Sequence, residues 1–299
     1  MNGERLAIVT PAYNRASELQ KLFDSLVRQN CQKFTWYVVD DGSVDGSWDA
    51  VGRMREGAPF SVEAFRKENG GKHTAVNLAL RHVVEPLTFI VDSDDVLPPN
   101  AVDIILDSFD EISDATGLCG ISFLRRMEHA TQEADFPEDR LRGSYMDVRI
   151  NRGVTGDKAE VFYTRCLKEF PFPEFDGERF YHEDGVWVRL SAKYEMLHEN
   201  KVVYEGRYLE GGLTKGGRAL KMASPLGMCD RSAQFLGYPG KVIFKQRMKH
   251  AILWDVYAAV AKAGGRKPPC KCPAPILCAA VAPAAALLHC KWEDEVADA

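Results

Sequence analysis

Short apolar runs alternate with amphipathic stretches through the first part of the chain, at the spacing of a parallel sheet whose strands are joined by helices. Leu6-Ala7-Ile8-Val9-Thr10 predicts a buried strand. After the turn Pro11-Ala12-Tyr13-Asn14-Arg15, Leu19, Leu22, Phe23 and Leu26 share one helical face, with Ser17 and Gln20 spaced as a capping box. Residues 34–39 predict a second strand, 47–54 a second helix, 61–65 a third strand and 75–84 a third helix. Phe89-Ile90-Val91 lies in the fourth strand, 87–91, and Val102, Ile105, Leu106, Phe109 and Ile112 mark the apolar face of the helix after it.

The predicted strands give way to polar segments: Thr10-Pro11-Ala12-Tyr13-Asn14, Asp40-Asp41-Gly42-Ser43, the turn Gly70-Gly71-Lys72 and Asp92-Ser93-Asp94. In a parallel sheet these gather along one edge, where open α/β sheets bind their ligands. Asp92, Asp94 and Asp95 repel one another, and the usual remedy is a divalent cation that takes oxygen ligands. One Asp would be an ordinary helix-start residue. Three, with a better helix start at Pro98-Pro99-Asn100, point to metal. The same edge offers partners for a nucleoside diphosphate. Asp40 or Asp41 can accept the N3–H of a uracil, Gly42 lets backbone approach closely, and Lys72 can pair with phosphate at the positive end of the following helix. Taken singly, Asp-Asp-Gly-Ser and Gly-Gly-Lys are ordinary turns; their order and repeated placement at strand ends favour function.

The segments Thr10-Pro11-Ala12-Tyr13-Asn14-Arg15, Val38-Val39-Asp40-Asp41-Gly42-Ser43, Asn69-Gly70-Gly71-Lys72-His73-Thr74-Ala75-Val76-Asn77 and Asp92-Ser93-Asp94-Asp95 together resemble the motifs of the family 2 glycosyltransferases, over residues 5–125. The resemblance implies an α/β glycosyltransferase-A fold with a Rossmann-like, mostly parallel sheet. It implies an inverting transfer of sugar from a nucleoside diphosphate sugar, usually a UDP-sugar, to a hydroxyl. By the same resemblance Thr10, Pro11 and Tyr13 line the nucleoside pocket, Asp41 with Asp40 contacts the base, and Lys72 the nucleotide. Asp92 is expected at the ribose or sugar and beside the metal, and Asp94 is expected to hold Mn2+ or Mg2+.

The second half is less periodic. Residues 119–127 and 156–162 predict strands, 128–155 carry no clear period, and Phe170-Pro171-Phe172-Pro173-Glu174-Phe175 cannot be a regular helix. His182-Glu183-Asp184-Gly185-Val186-Trp187 puts two carboxylates at the start of a short amphipathic helix. Inversion needs a base opposite the departing diphosphate, and Glu183-Asp184 resembles the family's Glu-Asp pair in that role. Asp184 is the first choice, with Glu183 close behind; Trp187 is a sugar platform or simply core. Residues 204–213 predict a strand and loop, and Thr214-Lys215-Gly216-Gly217-Arg218 suits a mobile lid whose Arg218 meets the diphosphate, or a plain surface loop. Residues 242–263 predict a helix with basic residues along its first half.

The chain has 299 residues and a formal net charge of −5, which argues against a general nucleic-acid binder. Met1 to Leu6 lacks the blocks of a secretory signal, and the eight cysteines fit reduced thiols, so the expected location is cytoplasmic, with peripheral contact at the inner face of the cell membrane left open. Composition changes after Gly264-Gly265-Arg266-Lys267-Pro268-Pro269. The apolar run 276–288 is expected to be too short for a bilayer and interrupted by Pro283, and the spacing of Cys270, Cys272, Cys278 and Cys290 does not match a paired zinc site. Three regions result: a nucleotide-sugar half (1–125), an acceptor and base half (126–235) and a C-terminal helical extension with an apolar tail (236–299). The acceptor expected is a saccharide or lipid-linked saccharide, in cell-surface polysaccharide or glycoconjugate synthesis. The oligomeric state, the sugar and the acceptor are not legible. The competing readings are a non-catalytic sugar-nucleotide or partner-binding module, and a sugar nucleotidyltransferase, whose glycine-rich loop does not follow the first strand here.

Overall fold

The computed structural model describes residues 4–127, 134–206 and 213–297. Eight strands among them form one sheet: β1 (Leu6–Ala12), β2 (Phe34–Asp40), β3 (Ser61–Arg66), β4 (Leu87–Ile90), β5 (Leu118–Met127), β6 (Leu141–Gly143), β7 (Lys158–Tyr163) and β8 (Glu195–Gly206), in the order β3-β2-β1-β4-β7-β5-β8-β6. β1 pairs in parallel with β2 and β4, and β2 with β3. Antiparallel β7 joins this half to the parallel pair β5 and β8, and β6 closes the far edge antiparallel to β8. Register sets Ala12 beside Asp40 and Asp40 beside Arg66, so the polar strand ends meet along one edge as the parallel reading requires.

Alternation along the strands sends side chains into two cores. Leu6 and Ile8 of β1 pack with α1 (Ala16–Val27), α2 (Ser47–Gly57) and α4 (Ala101–Asp110) on one face, whereas Ala7 and Val9 pack with α3 (Lys72–His82), α5 (Thr164–Glu169) and α6 (Asp184–Ser191) on the other. With both faces covered, all seven residues of β1 and of β2 are buried. The expected capping box at α1 does not form, because the Ser17 hydroxyl donates to Glu18 instead. Arg15 N–H donates to Ser47 Oγ at 2.9 Å and Ala16 N–H to Asp45 Oδ2 at 3.3 Å, so the loop after β2 caps the helix after β1 and fixes the two loops to each other.

Larger departures lie in the second half. β8 is twelve residues long, where a strand was expected only from Tyr204. Its charged sequence conceals it: His198 and Glu199 are wholly buried, with Glu199 taken up by Ser108, Lys201 and Arg140. Residues 144–155 contain a π-helix, Met146–Asn151. The loop expected after Tyr204 falls partly on 207–212, outside the described residues, and the expected lid 214–218 is helical, within α7 (Leu213–Met222). α8 (Pro225–Leu236) and α9 (Phe244–Ala263) follow, the latter as the sequence predicts. α10 (Pro275–Ala297) corrects the reading of the tail: it passes through Pro283 unbroken, with Cys278, Val281 and Ala285 as its buried stripe. By length and composition alone, Pro275–Val296 is long and apolar enough to cross a membrane. Cys272 and Cys278 approach to 2.9 Å between sulfurs, as free thiols.

Burial pushes the His198 imidazole down to about 4, from an ordinary 6.5. Its folded form is neutral, so the stability it contributes is complete above pH 6.5 and is lost as pH falls toward 4. That loss is on the order of 3 kcal/mol. Urea unfolding followed from pH 7 to pH 4 should show a shallower acid decline in His198→Phe than in the unaltered protein; equal slopes would exclude His198 as the titrating group.

Candidate active site

The edge formed by β1 and β2 is built by short polar loops. Asn14 adopts φ +50°, a conformation Asn tolerates better than most residues; its N–H donates to Ser43 Oγ at 2.8 Å and its Oδ1 accepts from Val44 N–H at 2.9 Å. Of the three residues expected to line a nucleoside pocket, Thr10 turns into the core, where its Oγ1 accepts from Trp36 Nε1 at 3.0 Å, and Pro11 is buried. Tyr13 presents its ring, 46% exposed. Asp41 is consumed by the loop after β3: Oδ1 accepts from Gly70 N–H and Lys67, Oδ2 from Gly71 N–H and Asn69. Asp40 is wholly buried, with Oδ1 accepting from Ser43 N–H at 3.3 Å and Oδ2 facing Arg66 Nε at 3.0 Å without an aligned hydrogen bond. Gly42 and Gly71 are both required. At φ +79° a Cβ on Gly42 would stand 2.8 Å from Asn69 N, and at φ +93° one on Gly71 would stand 1.9 Å from Arg179 O.

Asp92, Asp94 and Asp95 follow β4, and one carboxylate oxygen from each lies within 4.8 Å of the others. Two residues without any local sequence signal fix this loop. The Tyr204 hydroxyl, on β8, accepts from Asp92 N–H at 2.8 Å and donates to Asp95 Oδ2 at 2.9 Å, and Arg125, on β5, donates to that same oxygen at 2.8 Å. Val96 and Glu205 form a two-bond bridge beside them. Burial pushes Asp95 up to about 6 despite Arg125. Burial and the charge of Asp92 also raise Asp94. Asp95 is thus committed to Arg125 and Tyr204, whereas Asp94, with Asp92 beside it, is an acidic pair of the kind that fits a hard cation.

Lys72, the first residue of α3, connects the two halves. Its Nζ stands 2.5 Å from Asp92 Oδ1 and 2.8 Å from Glu183 Oε1. Burial works against its charge, but Asp92 and Glu183 outweigh that and hold the ammonium above its ordinary value. These side chains line a crevice of about 50 Å³ with Arg125, Lys158, Glu160 and Tyr204. Burial raises the Glu160 carboxyl. The edge of Trp187 reaches the same crevice, while its ring packs 4.5 Å from Phe162 and 5.9 Å from Phe172; most of it is core.

The Glu183–Asp184 pair divides. Glu183 faces the crevice, whereas Asp184 is 9% exposed and held by both arms of the Arg231 guanidinium from α8, with His182 Nδ1 at 2.9 Å. Burial opposes the Asp184 charge, yet Arg231 and then His182 hold its carboxyl well below the usual range. Arg218 is also placed elsewhere: its guanidinium lies 4.4 Å from the centre of the Trp292 ring and 3.1 Å from Glu295, both on α10.

The mixed sheet flanked by helices, with its acidic cluster at a strand end, has the glycosyltransferase-A fold. Residues 7–145 match the model of glycosyl transferase family 2, and the chain belongs to that family. A chondroitin synthase of Pasteurella multocida is 32% identical over 214 residues, covering 70% of this chain and 21% of that protein. The chain spans less than two thirds of the length of the curated relatives it matches first. In fold it is similar to S. aureus TarS 1–349 in complex with UDP-GlcNAc, with TM-score 0.63 and 18% identity over 87% of this chain and 73% of that one. It is also similar to the mannosyltransferase PcManGT from Pyrobaculum calidifontis in complex with GDP-Man and Mn2+, with TM-score 0.56 and 20% identity over 99% of this chain and 84% of that one.

Removing one partner of a buried ion pair strands the other charge. Arg231→Met should therefore destabilise the fold by about 3–5 kcal/mol, and adding Asp184→Asn should restore part of that loss. Chemical denaturation of the four proteins of this cycle measures the coupling; additive effects would mean that the pair is not the connection described.

Proposed function

We propose that the chain is an inverting, metal-dependent glycosyltransferase that moves a sugar from a UDP-sugar to a hydroxyl of a saccharide or lipid-linked saccharide, at the cytoplasmic side of the membrane, in cell-surface polysaccharide or glycoconjugate assembly. The observation that carries this reading is the Lys72 bridge, which sets a donor-side carboxylate, Asp92, and an acceptor-side carboxylate, Glu183, on one crevice. Tyr13 and Asp40 hold the nucleoside, with Asp41 organising the loop around it. Asp94 and Asp92 hold a divalent cation, manganese or magnesium, which when bound offsets the negative charge that grows on the leaving diphosphate. Once the donor is bound, Lys72 is free to exchange Asp92 for a phosphate oxygen without leaving the crevice.

Glu183 takes the proton of the acceptor hydroxyl as that oxygen attacks the anomeric carbon from the side opposite the diphosphate. Asp184 is the weaker candidate because its two oxygens are occupied by Arg231 and its proton affinity is low. Its role in this reading is to fix the start of α6, and with it the direction of Glu183. Arg218 receives no role at the diphosphate.

Calorimetric titration of UDP and UDP-sugars, with manganese and then with chelator, tests the donor half. Chelator and Asp94→Asn should each weaken UDP binding at least about tenfold, an effect worth 1.4 kcal/mol or more. Binding that ignores both would remove the metal from the account, and failure of uridine, guanosine and thymidine nucleotides alike would favour a non-catalytic module. For the base, Glu183→Gln should lower turnover by about 10²-fold or more with UDP affinity retained. If Asp184→Asn does so instead, in a protein that still folds and binds UDP, the two carboxylates exchange roles.

A further inference from the structure

Four of the eight cysteines fall within residues 270–290, and none of them lines the crevice. Two are paired in space. The sulfurs of Cys272 and Cys278 stand 2.9 Å apart as free thiols, about 0.9 Å more than the length of a disulfide bond. An uninterrupted helix would keep them apart, because it sets residues six positions from each other on different faces. The chain brings them together by bending at Pro273-Ala274-Pro275. Pro275 opens α10, a position that suits proline, and Cys278 N–H donates to Ala274 O at 3.0 Å. Cys278 therefore belongs to the first turn of the helix, and Cys272 precedes the bend.

Both sides of the bend are anchored, so the approach of the sulfurs is built into the packing. Pro273 lies on the end of α8, where a Cβ on Gly237 would stand 3.5 Å from Pro273 Cβ. Further back, Arg266 donates to Glu178 Oε1 at 2.8 Å and to Asp176 O at 2.6 Å. On the helix side the Cys278 thiol donates to Ala251 O of α9 at 3.8 Å and packs with Leu236, Ala251 and Val281. The two thiols differ in access: Cys278 is 4% exposed, whereas Cys272 is half-buried. Burial also raises the Cys278 thiol above its ordinary value. An accessible sulfur meets an oxidant first, and a buried neighbour within reach resolves the product.

We propose that Cys272 and Cys278 form a thiol–disulfide exchange site, a dithiol that reduces a low-molecular-weight disulfide and is itself closed into an intrachain disulfide. Cys272 gives its proton to solvent, and its sulfur attacks one sulfur of the small disulfide. The bond between the two small-molecule sulfurs breaks, one thiolate leaves and is protonated, and a mixed disulfide remains on Cys272. Cys278 then attacks the Cys272 sulfur, and the second thiolate departs with the Cys278 proton. The protein loses two electrons and the small disulfide gains them, as two thiols. The closed ring staples the linker to the first turn of α10, which rests on α9 and α8 through Ala251 and Leu236. In a reducing compartment such a bond is transient and serves sensing rather than permanent structure. The site stands apart from the crevice and does not rest on the transfer reading.

The test uses the full chain carrying Cys290→Ser, so that tryptic cleavage after Lys271 and Lys291 releases a peptide, 272–291, in which these are the only cysteines. The folded protein is incubated with oxidised glutathione, alkylated with iodoacetamide, digested without reductant and weighed by mass spectrometry. The peptide should lose two hydrogen atoms and take up no alkyl group, and prior treatment with dithiothreitol should return both thiols to alkylation. Adding Cys278→Ser should stop the reaction at a glutathione adduct on Cys272. Adding Cys272→Ser, a change at a half-buried position that the fold tolerates, should leave Cys278 without an adduct. Exposed Cys270 reports that the oxidant has acted. The proposal is overturned if the peptide stays a dithiol when Cys270 is fully converted, if glutathione remains on Cys272 beside a free Cys278, or if Cys278 is modified in the Cys272→Ser protein.

Discussion

A single ammonium group, Nζ of Lys72, lies between a carboxylate from the end of a parallel strand and a carboxylate from the start of a helix in the other half of the chain. Much of the architecture serves to put it there. Gly71 immediately before it can have no Cβ, because the carbonyl of Arg179 occupies that space, and this packing brings the segment leading to Glu183 against the start of α3. Asp41 gathers Gly70 N–H and Gly71 N–H from the other side. Three sequence motifs far apart along the chain, Asp-Asp-Gly-Ser, Gly-Gly-Lys and Glu-Asp, are thus one mechanical unit. A cation between two acidic groups is also a convenient resting state for a site that receives a polyanion, since the repulsion of the empty crevice is already offset.

The nucleotide half was legible because its information is local. Each strand is a short apolar run buried on both faces, each loop carries its polar residues at the strand end, and parallel register does the rest. The first misreading there is instructive. Ser17 and Gln20 have the spacing of a capping box, but Asp45 and Ser47 from the neighbouring loop reach the helix start first, a tertiary contact that no window of sequence contains. Thr10 and Asp41 are bonded within the protein for a similar reason. Polar side chains at a strand end are as readily used to tie the loops together as to meet a ligand, and their direction depends on Trp36, Gly70 and Gly71.

The second half was opaque because its polarity is internal. β8 hides behind Glu-Asn-Lys, yet Glu199 is buried against Ser108 and Lys201, so alternation of apolar and polar residues does not mark its faces. Tyr204 and Arg125, which hold the acidic loop, sit on ordinary-looking strand sequence; only the pairing of β5 with β8 sets them beside Asp92 and Asp95. The partner of Asp184 was equally out of reach, because Arg231 belongs to a helix of the C-terminal region.

That partnership changes how the C-terminal helices relate to the chemistry. A buried guanidinium that binds both oxygens of Asp184 makes α8 part of the support for α6, and α6 carries Glu183 at its start. α7 and α9 pack around α8, with Met222 and Tyr257 in one cluster with Met228 and Cys229. An appendage without functional contact would place its charges in solvent, where screening makes their position immaterial. Here a charge of the C-terminal region is instead buried against a carboxylate one residue from Glu183. The C-terminal helices thus bear on the crevice through packing and one ion pair: Arg231 fixes Asp184, and the neighbouring Glu183 is the carboxylate that lines the crevice with Lys72 and Asp92.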